Sequence, residues 1–340
     1  MIGKVKVSRQ ALWLPIGALA FYAAIKLLQF GGMISKYWQL VLDQGLIMVI
    51  GALGLSIIYG FTGQFSLGHA AFYGLGAYTA GALDKLYGQG NPAFFLLSLL
   101  AGTLLAGIVA MLIGLPVLRL RSDYLGIATL GFGIIIKVGL DNSNKLIPML
   151  GGATGMSGTP QLAKFDLIFL LTFICIILVR NFIFSTYGRA CTSIREDEIA
   201  ADVMGINTTR YKSMAFILGC SLAGLAGGIY AHRYPFLHPS NFDFLKSFDF
   251  LLIVVLGGLG SMTGTIITAI AWVFLLEGLR FVLGQSFIDW RGVIYALILI
   301  VTIILRPQGI FGGKELSILV PKLPLKAPGK EQQTYAGPGS

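Results

Sequence analysis

The charged residues of this chain are concentrated in one segment. From Thr186 to Lys212, eight of 27 residues are charged, and Glu196, Asp197, Glu198 and Asp202 are four of the fifteen acids in the whole protein. Ile194, Ile199, Ala201, Val203 and Ile206 are interleaved with them, so the segment reads as a mixed amphipathic surface. Gly205 offers a helix stop or tight turn. A solvated loop has no need of those apolar residues, whereas docking against a partner does.

A second polar stretch, Gly60 to His69, sets Thr62, Gly63, Gln64, Ser66 and His69 between apolar runs. Such a string breaks regular helix, and at membrane depth its exposed backbone groups must face protein or a water-filled cavity. The run from Gly257 to Gly264, carrying Ser261 and Thr263, is its candidate counterpart in an internal repeat. Paired broken helices in two halves point to a binding or gating site, and tight packing without cargo contact is the alternative. The polar groups of both breaks are the candidates to line a route.

Other chemistry is missing. There is no G-x-x-x-x-G-K-[ST] phosphate loop, no H-E-x-x-H zinc motif and no G-x-S-x-G nucleophile turn. His69, His232 and His238 are scattered, and Cys175, Cys191 and Cys220 form no close pair, which argues against a zinc site or a disulfide framework. Neither catalysis nor a cofactor or metal of its own is expected of this chain.

The elements that position these stretches must be membrane helices. The chain of 340 residues is 56% hydrophobic and 12% charged, with a mean hydropathy of +0.80, where soluble proteins carry about 25% charged residues. This excludes a soluble enzyme, a disordered regulator and a nucleic-acid module. The net charge of +10 fits Lys and Arg held on cytoplasmic segments.

Crossing the hydrocarbon takes roughly 20 helical residues. Uncharged apolar stretches occur at 11–29 (with Lys26 near the end), at 44–83 with a break at Thr62-Gly63-Gln64, and at 93–118, 124–140, 167–184 and 213–231. Residues 250–276 add an eighth helix and the start of a ninth that ends near Val282, and 292–305 adds a tenth. The expectation is an all-α polytopic membrane protein with about ten crossings, or eight or nine if the Gly-rich segments are re-entrant. With both termini inside, 15 of 25 basic residues are cytoplasmic, among them Lys4, Lys6, Arg9, Arg119, Arg121, Lys322, Lys326 and Lys330. The organisation expected is a cytoplasmic N-terminus at 1–10, a membrane domain at 11–312 with a cytoplasmic loop at 186–212, and a disordered tail at 313–340.

Small residues recur every fourth position at Gly102, Ala106, Ala110 and Gly114, at Gly224 and Gly228, and at Gly260 and Gly264, as close helix packing requires. Among ionisable residues near spans, Asp43 reads as interfacial, Lys26 and Lys137 as snorkelling, and Glu277 with Arg280 as an i,i+3 pair. No carboxylate stands out as a mid-membrane proton relay, which disfavours ion-coupled transport.

The charged segment resembles the cytoplasmic coupling loop of ABC importer permeases, whose pattern is E-A-A, three residues, then Gly. Ala200, Ala201 and Gly205 fit, while Glu198 stands one place early. The form I-R-E-D-E-I-A-A-x-x-M-G-I-N, together with Gly60–Phe72, Gly151–Gly155, Gly257–Gly264 and Arg306–Gly312, resembles the branched-chain amino acid permeases of LivM and LivH type. Arg119–Tyr124 and the stretch from Gly151 favour the LivM type. The likeness runs from about residue 40 to 313.

What the resemblance implies is the membrane subunit of a bacterial uptake system in the cytoplasmic membrane. Its partners would be a second permease of LivH type, two ABC ATPases that bind ATP and Mg, an extracytoplasmic binding protein, and membrane lipid, without nucleic acid. Arg195, Glu196, Asp197, Glu198, Ala200, Ala201, Gly205 and Asn207 would couple the chain to the ATPases. Leucine, isoleucine and valine are the implied cargo, with urea, short amides and other amino acids still open. An ion-coupled carrier and a scaffold without transport are the competing classes.

Overall fold

The computed structural model describes residues 13–88, 90–118, 122–145, 147–284, 286–312, 314–316 and 319. The expectations for residues 1–10, for Arg119 and Arg121 and for the tail beyond 319 fall outside them.

The described chain is largely helical. In order come α1 (Trp13–Phe30), α2 (Lys36–Leu55), α3 (His69–Leu83), α4 (Pro92–Val117), α5 (Ser122–Asp141), α6 (Phe165–Ile183), α7 (Thr186–Glu196), α8 (Glu198–Val203), α9 (Thr208–Arg233), α10 (Phe244–Gly257), α11 (Met262–Leu283) and α12 (Ser286–Leu305). Wide π turns prolong α2 over Ser56–Phe61 and α3 over Asp84–Gly88. Two short strands, β1 (Met156–Ser157) and β2 (Phe236–Leu237), pair antiparallel with Met156 opposite Leu237.

Among the described residues, six helical spans are long and apolar enough to cross a membrane: Lys36–Phe61, Pro92–Val117, Tyr124–Asp141, Phe165–Ile183, Thr208–Arg233 and Met262–Leu283. Pro15–Phe30 and Gly292–Leu305 are shorter apolar helices. α10, with 14 residues, is shorter than the roughly 20 a crossing needs, and the 15 residues of α3 reach that length only with their π turn.

Helix starts follow capping chemistry. Ser35 accepts from the Trp38 amide and starts α2 at Lys36, and Asn91 before Pro92 starts α4. Asp243 and Ser261 cap α10 and α11 in the same way.

The span Lys36–Phe61 is the central one, with 89% of its apolar window buried against 28% for α4. α4 shows why small residues matter. Gly102, Ala106, Ala110 and Gly114 are buried, while Leu104 and Leu112 are exposed. A methyl group added at Gly224 of α9 would lie 2.5 Å from the Ala106 methyl, and one at Gly114 would lie 3.0 Å from the Phe216 ring. The two backbones therefore approach as only small residues allow.

The ends of the bundle are distinct. The connections 60–68, 184–207 and 257–261 share one end with residues 306–312 and 314–316, as the Arg195–Gly60 and Ile310–Leu256 hydrogen bonds show. At the other end β1 pairs with β2, Lys85 donates to the Ser157 carbonyl at 2.7 Å, and the Ala163 amide donates to the His232 carbonyl at 3.2 Å.

The ionisable residues near the spans have specific partners. Asp43 is fully buried within the protein, in an ion pair with Arg233 at the C-terminal end of α9 at 2.6 Å. Asp84 and Asp249 are also fully buried, so carboxylates do lie inside the bundle. Asp84 faces His232 at 3.3 Å, and Asp249 faces Lys246 at 3.2 Å and accepts from the Trp272 indole at 3.1 Å. Each joins two elements. Lys26 and Lys137 pair with Asp166 (2.5 Å) and Asp141 (2.9 Å). Glu277 lies 3.9 Å from Arg280 but accepts the Tyr37 hydroxyl proton at 2.6 Å, the shorter contact. Within the stretch expected to be a disordered tail, Glu315 and Leu319 are both bonded to the bundle.

Candidate functional site

α7 and α8 form a bracket between α6 and α9. Ser185 starts α7 by accepting from the Tyr187 and Gly188 amides. Asp197 ends α7 and starts α8, its carboxylate accepting from the Ile199 amide at 2.9 Å and the Ala200 amide at 3.0 Å. Gly205 then reverses the chain. Its φ of +84° suits glycine, and the Ile206 amide reaches back to the Ala201 carbonyl at 3.0 Å. Asn207 caps α9 through the Arg210 amide at 3.0 Å. These residues are sequence signals that the structure uses for local folding.

The bracket has a buried side and an open side. Ile194 and Ala201 are buried. Ile199, Val203 and Met204 are 78%, 82% and 82% exposed, forming an apolar ridge with Ala200 beside it on an otherwise charged segment. Glu196, Asp197 and Glu198 are exposed as well. Glu198 pairs with Lys212 of α9 at 2.5 Å, so the basic partner of the acidic patch stands in the same chain. Beside the ridge opens a cleft of about 830 Å³ lined by Phe61, Phe184, Asp197, Met204, Gly260 and Glu315.

Arg195 connects the bracket to both glycine-rich breaks. Its Nη1 donates to the Gly60 carbonyl at 2.7 Å. A Cβ placed on Gly260 would lie 2.5 Å from that same nitrogen, and one on Gly63 would lie 3.1 Å from the Arg195 Cγ. Gly60 and Gly260 themselves meet, with a Cβ on the former reaching the latter's amide at 3.2 Å. Glycine is required here because a guanidinium is threaded between two backbones, and at Gly63 also because φ is +75°.

Thr62, Gly63 and Gln64 line a cavity of about 280 Å³ together with Arg195, Glu198 and Lys212. Gln64 donates to the Lys212 carbonyl at 3.1 Å and Thr62 to the Ile57 carbonyl at 2.8 Å. Burial pushes the thiol of Cys191, on α7, above its usual range, with a hydrogen bond involving Thr62 partly offsetting this.

The remaining polar residues of the breaks are turned into protein. Ser66 is buried. His69 is buried with Nε2 on the Gly51 carbonyl at 2.8 Å and its ring edge-on to Phe250. Ser261 donates to the Lys314 carbonyl at 3.0 Å, and Thr263 bonds Glu315. The structure thus brings Thr62, Gly63 and Gln64 together with Arg195 and Glu198 around one cavity, which His69, Ser261 and Thr263 do not line.

Glu315 and Lys212 are residues that sequence reasoning passed over. The carboxylate of Glu315 accepts from the Met262 and Thr263 amides and from the Thr263 hydroxyl, closing the open amides of α11. The stretch Arg306–Gly312 leads into it, with the Ile310 amide on the Leu256 carbonyl at 2.8 Å. An acid shortly after the last apolar stretch was the signal that could have found it.

Comparison with known proteins places this geometry among transport permeases. The family model of the branched-chain amino acid transport system permease component matches residues 39–303. The high-affinity branched-chain amino acid transport system permease protein LivM of Salmonella typhimurium is 32% identical over 336 residues, covering 86% of this chain and 75% of that protein. LivM of Escherichia coli is 33% identical, covering 83% and 70%. BraD of Pseudomonas aeruginosa, from the same kind of system, is 27% identical, covering 78% and 91%. No solved structure matches the chain.

Proposed function

The chain belongs to the branched-chain amino acid transport system permease family, and on that premise we propose that it conducts leucine, isoleucine and valine inward as one membrane subunit of an ABC importer in a bacterial cytoplasmic membrane. The energy comes from ATP and Mg held by two ATPase subunits, a second permease of LivH type completes the path, and an extracytoplasmic binding protein delivers the cargo. This chain performs no chemistry on the cargo.

The observation that carries the reading is the bracket. The bracket presents Ile199, Val203 and Met204 outward, while its two anchors run inward, Glu198 of α8 to Lys212 on α9 and Arg195 of α7 to the breaks after α2 and before α11. A partner that grips the ridge moves α9 and both breaks together. That is a rigid-body input of the kind that switches access between two sides. Thr62, Gly63 and Gln64, next to Arg195, then belong to the inner mouth of the route, and Ser66, His69, Ser261 and Thr263 to the walls that shift with it.

Ten crossings with both termini inside fit this reading. The bracket, both breaks and residues 306–312 then share the cytoplasmic end, with the chain alternating ends between them. An internal repeat relating the two breaks is supported by their meeting at Gly60 and Gly260.

Co-purification tests the reading. Ile199→Asp with Met204→Asp leaves the buried side of the bracket intact, so this chain and its permease partner are expected to stay together while the ATPases are lost. Retention of the ATPases with substrate-stimulated hydrolysis at the wild-type rate would overturn it.

A further inference from the structure

A second polar cavity lies at the end of the bundle opposite α8. It measures about 700 Å³ and is walled by α2, the C-terminal end of α9, residues 240–249 and α11. A recess of about 90 Å³ shares Gln44, Tyr230, Asn241, Asp243 and Lys246 with it and reaches Tyr73. The size is that of a small-molecule site.

The lining is mixed in a particular way. Two cations, Lys246 and Arg280, face three carboxylates, Asp243, Asp249 and Glu277. Neither an anion nor a cation would find a field of one sign there, whereas a molecule carrying both charges finds a partner for each. Lys246 bonds Asp249 at 3.2 Å and has donor capacity to spare, since an ammonium carries three protons. Met48, Val273 and Leu276 add an apolar wall.

Two polar atoms point to an occupant. The hydroxyl of Tyr73, on a residue that is 0% exposed, has no hydrogen-bond partner, and neither does the buried Oε1 of Gln44. Buried polar atoms are normally satisfied, so a group that lies in the recess is called for. Water alone can meet both atoms but does not match the apolar wall of Met48, Val273 and Leu276.

We propose that this cavity is a binding site for a zwitterionic amino acid with an aliphatic side chain. The carboxylate lies toward Lys246 and Tyr73, the ammonium toward Asp243 and Gln44, and the side chain against Met48, Val273 and Leu276. The proposal rests on the transport reading and adds a station to it on the side where cargo arrives.

Thiol protection tests the site separately from transport. Ser240 is exposed and lines both cavities, while Cys175, Cys191 and Cys220 are buried. In the assembled importer, Ser240→Cys is labelled with a membrane-impermeant maleimide, without the binding protein. Leucine is expected to slow labelling by the factor 1 + [L]/Kd, about fivefold at four times its Kd. Isocaproate, which lacks the ammonium, and isoamylamine, which lacks the carboxylate, are expected to protect less than half as well. Adding Lys246→Met is expected to abolish protection and Lys246→Arg to keep it.

Labelling unaffected by leucine, or slowed equally by isocaproate, overturns the site and leaves a water- or lipid-filled wall. Leucine uptake by the complex with the unaltered chain is measured in parallel. Uptake without protection sinks the site alone, and absent uptake counts against the transport reading.

Discussion

Replacing Arg195 by Met keeps an unbranched apolar stem and removes the guanidinium with its donors. The loss is then the bond to the Gly60 carbonyl at 2.7 Å and the contact with Glu196 at 2.5 Å. Glu196 is 68% exposed at its side chain, so that ion pair contributes about 0–1 kcal/mol. The bond from a charged donor to a part-buried carbonyl is worth about 1.5–3 kcal/mol and dominates. At about 1.4 kcal/mol per tenfold, the link between bracket and breaks weakens roughly 10- to 140-fold. The assay is leucine transported per ATP hydrolysed by the reconstituted importer. The ratio is expected to fall by about tenfold or more while basal hydrolysis and assembly persist. Arg195→Lys, which supplies charge without the planar fork, is expected to recover part of it. A wild-type ratio in Arg195→Met would refute the idea that this guanidinium carries the motion.

Three further outcomes follow from the packing. His232 has Nδ1 on the Gly228 carbonyl at 2.8 Å, so that nitrogen carries a proton, and Nε2 faces the buried Asp84 carboxylate at 3.3 Å. Asp84→Ala or His232→Ala alone is expected to cost about 3–5 kcal/mol in thermal unfolding in detergent, and the double Asp84→Leu, His232→Phe much less; equal losses in all three would contradict this. Glu315→Gln weakens the cap on α11, so trypsin is expected to cut after Lys314 faster than in the wild type, and an unchanged rate would show that the tail is held otherwise. Cys191 is buried with its thiol raised, so at pH 8 it is expected to react with maleimide only after denaturation; prompt labelling would mean that α7 is not seated on the breaks.

Local chemistry made much of the bracket readable. Asp197, Gly205 and Asn207 are capping residues with near-neighbour roles, and such roles show in sequence. Small residues at fourth positions likewise announced the α4–α9 contact. Long-range partners were not readable. Asp43 and Arg233 are 190 positions apart, and each alone looks like an ordinary interfacial charge. Glu315 looked like part of a polar tail because its partners are amides, which carry no side-chain signature. The polar residues of the breaks were legible as a group, but their neighbours were not. Thr62, Gly63 and Gln64 adjoin the bracket because Arg195 reaches back over 135 positions to Gly60.

Accumulation of radiolabelled leucine by proteoliposomes holding this chain, its permease partner and the two ATPases tests the central claim most directly. With ATP on the ATPase side and loaded binding protein on the other, leucine is expected to accumulate, to do so equally when the proton gradient is collapsed, and to stop when ATP is replaced by a non-hydrolysable analogue. Accumulation driven by a proton or sodium gradient without the ATPases would contradict it.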